Sequence, residues 1–312
     1  MSWITIIWSA ASGAGLLLSL MHLLLWCQNR RRWHHLCFSF MALGVIGMAA
    51  GEVIIMRADA PETVGVAGRW IHVVFGVITA SMLGFTHFYF GTGRRWLLYL
   101  ALSLRGCALV ANFTTGENLH LSSVSTLDQI SFLGEQVSVL GEWKLNSWAA
   151  LGQTAALVQL IYMLDATVKL WRSATTEHRK RGVLLGGILC LFLVFASVQA
   201  AVVTTGAVRM PFIMSLPFYL MLLAMGFELS RDMIRAARLA SELSENQQRL
   251  MLAVEATSLG IWIRNLETEE VWASPQWRSL FEFGPEVRLT MDVILSRVHP
   301  EDREQMRTAT EE

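Results

Sequence analysis

Three ionisable residues stand inside otherwise apolar sequence: Glu52 before Val53-Ile54-Ile55, His72 between Ile71 and Val73-Val74-Phe75, and Arg105 after Leu102-Ser103-Leu104. A charge held in hydrocarbon is costly, so such side chains face a cavity or a partner. Counted from the ends of their apolar stretches, Glu52 and His72 fall in the outer half of a membrane span, and Arg105 lies near the midplane. The spacing therefore predicts that they converge. Glu52 and Arg105 are expected to pair and, with Trp70, His72 and Asn112, to line an outward-facing ligand pocket beneath a long loop. That loop contributes Glu135 to the same candidate set. The competing expectation is a structural ion pair that locks the helices together and binds nothing. No set of side chains has the arrangement of a catalytic centre.

Other chemistries find weaker footing. His22 and His87 both sit near the inner ends of their apolar stretches, where two imidazoles could hold a haem. Intramembrane histidines more commonly hydrogen-bond to backbone carbonyls, and no cofactor is expected. Glu117 and His120 have the i, i+3 spacing of one helical face, followed by Glu135 and Glu142, yet a solvated acidic loop is the plainer reading and no metal site is assigned. A retinal Schiff base needs a lysine in the last span, and Lys144, Lys169 and Lys180 are all elsewhere. Cys27, Cys37, Cys107 and Cys190 lie in or at the ends of apolar stretches with no CxxC pair, the pattern of packing residues. None falls in residues 231–312, which leaves no thiol there for a flavin adduct.

The elements that must position these residues follow from composition. Of 312 residues 54% are hydrophobic and 16% charged, against roughly 25% charged in an average soluble domain. A bilayer core needs about 20 helical residues, and seven stretches qualify: 3–27, 34–56, 70–90, 95–112, 147–170, 183–206 and 211–230. Lysine and arginine resist translocation. With the N-terminus outside, the inner loops hold Arg30, Arg31, Arg32, Arg94, Arg95, Arg172, Arg179, Lys180 and Arg181, whereas the outer loops hold only Arg57, Arg69, Lys144 and Arg209. Arg231, Arg235 and Arg238 follow the last span, so the tail is expected in the cytoplasm. No positively charged segment precedes the first span, which is expected to stay as a helix.

The loop 113–146, on the outer side in this arrangement, is long enough to be functional. Its aromatic residues and glycines suggest a compact lid. Gly44, Gly47 and Gly51 give the second span a small-residue face suited to close helix packing. Gln153, Gln159 and Gln199 are expected to hydrogen-bond between helices. Beyond the membrane, Leu229, Met233, Ala236, Ala240, Leu243, Gln247, Leu250 and Val254 recur at alternating four-three spacing. This is the seam of a helix that pairs in parallel with a second copy, the alternative being a lone amphipathic helix. Residues 231–256 would then form a rod of about 39 Å at 1.5 Å per residue.

The tail has two short apolar runs around a polar turn, Leu259–Asn265 and Val271–Pro275, with Trp262, Trp272 and Trp277, then His299-Pro300-Glu301-Asp302-Arg303. A hairpin is expected, then a helix opened by Ser274-Pro275 and another opened by His299-Pro300. Residues 255–307 resemble the first half of a PAS domain. Phe132-Leu133-Gly134-Glu135 and Gly226-Phe227-Glu228-Leu229-Ser230-Arg231-Asp232 are similar to the membrane part of proteobacterial sensor histidine kinases of the seven-transmembrane PAS type. The resemblance implies a mainly α protein: a seven-helix transmembrane bundle over 1–230, a coiled-coil signalling linker over 231–256, and an incomplete α+β PAS domain over 257–312.

It further implies a multi-pass protein of the bacterial inner membrane that contacts lipid, forms a parallel homodimer and passes a stimulus to a downstream kinase core and response regulator. No nucleic-acid partner is expected. No histidine here stands in a phosphoacceptor setting and no glycine-rich ATP box is present, so an input module truncated before its kinase core is expected, with no enzymatic activity assigned. A small-solute transporter or channel with a regulatory tail is the alternative. Against it, no internal repeat is visible, and Pro217 is the only proline inside a span apart from Pro211 at the start of one.

Overall fold

The computed structural model describes residues 2–173, 176–256, 260–266 and 268–311. It is mainly helical and divides into two units, Met1–Ser230 and Arg231–Glu312. In the first unit the helices are α1 (Trp3–Gln28), α2 (Trp33–Met56), α3 (Pro61–Phe85), α4 (Arg95–Thr114), α5 (Ala149–Ser173), α6 (Thr176–Thr204) and the start of α7 (Ser215–Ala256). Among the described residues six helices are long and apolar enough to cross a membrane: Trp3–Gln28, Trp33–Met56, Pro61–Phe90, Arg95–Thr114, Ala149–Arg172 and Gly182–Thr204.

Of the helix starts that differ from the sequence expectation, those of α3 and α7 bear on the site. α3 begins at Pro61, well before residue 70, because proline suits the first helical position and Glu62 sits at the positive helix end. The seventh apolar stretch is divided. Residues 209–214 have no regular secondary structure and α7 starts at Ser215. Pro217 thus falls in the first turn, where its missing N–H costs nothing, rather than inside a span. Shortened in this way, and followed by Glu228, Arg231 and Asp232, the helical part does not join the six. Its side chains Phe218, Met221, Leu222, Met225 and Leu229 nevertheless pack in the main core with Phe38, Met41, Met82 and Leu189.

Small residues set the closest helix approach. A Cβ on Gly47 would lie 2.9 Å from Val74 Cγ2, and Cβ atoms on Gly44 and Gly51 would collide with Ile78 and Ile71. The glycine face of α2 is therefore filled by α3 of the same chain. α3 ends in a π-helical turn, Thr86–Phe90, closed by Gly91 at φ 68°. Cys190 belongs to the main core, while Cys27 and Cys107 lie exposed on the bundle and so do not pack as expected.

Residues 121–145 form an antiparallel hairpin, β1 (Leu121–Phe132) and β2 (Glu135–Leu145), with Phe132 opposite Glu135. Leu133 (φ 51°) and Gly134 (φ 80°) make the two-residue turn, whose positive φ values match the twist of the strands. One face is apolar: Leu121, Val124 and Leu140 pack on Ile55, Ala58, Val64 and Val203, and Val137 packs with Ile4 and Trp8. Polar bonds pin the hairpin to the bundle. Ser138 Oγ donates to Ala58 O (2.6 Å), Trp143 Nε1 donates to Thr204 O (2.8 Å), and Arg209 pairs with Asp128 (2.9 Å).

In the second unit β3 (Trp262–Arg264), β4 (Glu270–Ala273) and β5 (Leu289–Thr290) form an antiparallel sheet in that order. Helices α8 (Pro275–Leu280), α9 (Met291–Arg297) and α10 (Arg303–Glu311) follow the chain order around it. Ser274 caps α8, its Oγ accepting from Trp277 N, and Pro275 takes the first position. Val271, Ala273, Trp277, Leu289 and Ile294 form a small core. The helix expected to open at His299-Pro300 starts at Arg303 instead. Residues 299–302 turn first, with Asp302 N donating to His299 O (3.0 Å), and Asp302 O then takes the first helical bond, from Met306 N.

On the seam of α7, Ala240, Leu243 and Gln247 are exposed. The side chains of Met233, Ala236, Leu250 and Val254 lie outside the described residues.

Candidate functional site

A cavity of about 90 Å³ opens within the first unit, and its wall includes Glu52, His72, Arg105, Asn118, His120, Gln153 and Ser197. The rest is largely apolar, including Met48, Ile71, Phe75, Ala156, Ala196 and Phe212. Five helices, the bend before β1 and the irregular residues before α7 all contribute.

Glu52 is 1% exposed. Its Oε2 accepts from Trp8 Nε1 (2.8 Å) and from Ser215 Oγ (2.5 Å), and its Oε1 accepts from Ser215 N (2.8 Å). The local reason is the start of α7. First-turn amides have no partner within their own helix, and in an apolar bundle they need one from another element. A carboxylate on α2 supplies it and also meets the positive end of the helix. Glu52 thereby joins α1, α2 and α7.

The expected Glu52–Arg105 pair is not formed among the described residues. Glu52 accepts from Trp8 and Ser215 instead, and the Arg105 guanidinium lies over the Phe75 ring, 5.2 Å from its centroid. Arg105 Nε and Nη2 are buried without a hydrogen-bond partner.

His72 Nδ1 lies 2.7 Å from Gly68 O, and its Nε2 lies 2.6 Å from His120 Nδ1. Gly68 O can only accept, so in the neutral dyad His72 carries its proton on Nδ1 and accepts at Nε2. His120 then donates from Nδ1 and keeps a lone pair on Nε2. Burial, reinforced by His72 and Arg105, pushes the His120 imidazole down from 6.5 to about 3.

The remaining expected residues serve elsewhere. Asn112, fully buried, donates from Nδ2 to Arg69 O (3.0 Å) and accepts at Oδ1 from Leu119 N (3.0 Å). It fixes the bend that carries His120 and does not line the cavity. Trp70 is 60% exposed and packs edge-on against Phe113 on the outside of the bundle. Glu135 sits at the hairpin tip, where it accepts from Ser2 Oγ (2.6 Å) and Ile4 N (3.4 Å). The hydrogen bond from Ser2 is the main cause that holds its carboxyl below the usual range.

Glu117 and His120 lie in bends, not on a helical face, because the backbone turns there into β1. Glu117 Oε1 accepts from Val124 N (3.3 Å). No cluster of three metal-ligating side chains occurs among the described residues. His22 does not join His87: its Nδ1 lies 3.0 Å from His35 Nδ1, while His87 packs against Phe88. Gln159 Nε2 reaches Thr79 O across α5 and α3 (3.3 Å), Gln153 lines the cavity, and both amide atoms of Gln199 are buried without a partner.

Two residues of the site carry no signal in the sequence: Trp8 and Ser215 have no charge to mark them, and Ser215 matters only because α7 starts there. His120, whose i, i+3 spacing from Glu117 suggests one helical face, pairs instead with His72 of α3.

Fold and site together define an α-helical bundle with the composition of a membrane protein, enclosing a small cavity walled by an arginine, a carboxylate and an imidazole pair. No protein-family model matches the chain, and no curated protein matches it.

Proposed function

We propose that this chain is the signal-sensing input module of a two-component sensor histidine kinase. In this reading the bundle sits in a bacterial inner membrane with the N-terminus outside, the start of α7 completes seven crossings, and the second unit is the first half of a PAS domain in the cytoplasm. A stimulus reaching the cavity moves α7, which pairs with a second copy through the 233–254 seam and passes the change toward a kinase core and its response regulator. The observation that carries this reading is the double role of Glu52. The same carboxylate lines the cavity and caps the first turn of α7, a helix of 42 residues. Phe212 and Met214, immediately before that turn, line the cavity too. Occupancy of the cavity therefore acts directly on the element that leaves the bundle.

The test is a fusion of residues 1–256 to a histidine kinase core from another protein, with autophosphorylation measured in membranes. Glu52→Gln and Arg105→Ala are expected to shift basal output severalfold at unchanged abundance. Unchanged output, or a change fully explained by lower abundance, would retire the sensing role.

One observation favours the transporter alternative: the seventh apolar stretch is interrupted beside the cavity, as the broken helices of transporters are. In that reading the exposed helix start would bind substrate. Here the Ser215 amide and hydroxyl are already bonded to Glu52, which favours the receptor.

A further inference from the structure

Arg105 is the unexplained group of the cavity. Its Nε and Nη2 carry the two parallel N–H donors along the side edge of the guanidinium, the edge that grips a carboxylate with two bonds. Both atoms are buried and neither has a hydrogen-bond partner. Buried donors left without a partner cost free energy, so a guanidinium edge kept this way in the middle of α4 points to an acceptor from outside the chain. Glu52 shares the cavity wall, but its hydrogen bonds go to Trp8 and Ser215 and none reaches Arg105 Nε or Nη2.

The surroundings limit what that anion can be. Among the described residues Arg105 is the only Lys or Arg on the cavity wall, so the site offers an anion one guanidinium rather than the several cations that the two charges of a phosphate monoester call for. Most of the lining is apolar, which suits a hydrocarbon body. An apolar cavity of about 150 Å³ accepts benzene, so about 90 Å³ selects something no larger than a few carbons.

We infer that the cavity binds a short-chain monocarboxylate, with its carboxylate on the Nε–Nη2 edge of Arg105 and its alkyl part against Ile71, Phe75, Ala156 and Ala196. This rests on the receptor reading, for which it names the class of stimulus.

The experiment is thermal unfolding of the purified full chain in detergent, with sodium butanoate titrated against sodium chloride of equal concentration and against butanamide, the neutral isostere. Butanoate should raise the melting temperature saturably, and butanamide and chloride should not. Arg105→Gln should weaken the butanoate effect at least about tenfold, since it removes a two-bond, charge-assisted contact. Should that variant fold poorly, Ala196→Leu keeps the arginine, fills the cavity and should abolish the shift.

An equal effect of butanamide or chloride, no effect of butanoate on the wild type, or a shift that survives both substitutions would overturn the assignment. A missing butanoate shift beside an altered kinase output in Arg105→Ala would overturn the ligand class and leave the receptor standing. Saturable butanoate binding with output indifferent to it would support the site and remove the receptor reading.

Discussion

Glu52 and Arg105 share a cavity wall and not a bond, and the reason is a competition among donors. Glu52 is claimed by Trp8 and by the unpartnered start of α7, which leaves Arg105 to the Phe75 ring. The charged members of the site were legible in the sequence because a Glu, a His or an Arg inside an apolar run has few innocent explanations. Their partners were not. Trp8 and Ser215 lie 44 and 163 residues from Glu52, and nothing in their local sequence marks a donor. The His72–His120 dyad yields a prediction at this scale. His120 has a folded value near 3 against 6.5 for the free side chain. Between those values the unfolded chain binds a proton that the folded chain refuses, so stability is intact above about pH 6.5 and declines as pH falls toward 3. The groups that face His120 are His72 on α3 and Arg105 on α4. In His120→Asn the acid-side decline in melting temperature of the detergent-solubilised protein should be shallower between pH 6.5 and 4. An unchanged slope would place the acid sensitivity elsewhere.

At the scale of elements, the glycines of α2 were readable as a packing face, and the structure shows that α3 fills it. Gly44→Ala should lower stability by about 1–3 kcal/mol, the range for overpacking a close contact, because its Cβ would meet Ile78. Adding Ile78→Ala should restore part of that loss, as measured by denaturant unfolding. No rescue would mean that the cost arises within α2 and not at its contact with α3. The hairpin was less legible. Alternating Val137-Ser138-Val139 after Leu133-Gly134 is a strand-and-turn signal, but in a polar loop of this length the same residues fit an irregular lid equally well. The divided seventh stretch was hidden for a different reason. Apolar residues 210–214 look like helix by composition, and only the need to reach the cavity wall and hand Ser215 to Glu52 reveals them as irregular backbone.

For the whole molecule, the mainly helical character and the run of apolar helices were legible in the sequence, and the chain divides into the units Met1–Ser230 and Arg231–Glu312. Hydropathy is a bulk property, so it survives errors in helix boundaries. The number of crossings is more sensitive, since six helices meet the length and composition of a span while α7 packs its first turns into the same core. Six crossings would put both ends of the chain on one face, and seven would put them on opposite faces. The receptor account requires seven, with the hairpin and His120 toward the exterior and the 233–254 seam inside the cell. Two fusions decide it, one at each end of the chain, each made with a phosphatase active only outside the inner membrane and with a fluorescent protein active only inside. The account predicts phosphatase activity at the N-terminus and fluorescence at the C-terminus; the same reporter active at both ends would contradict it.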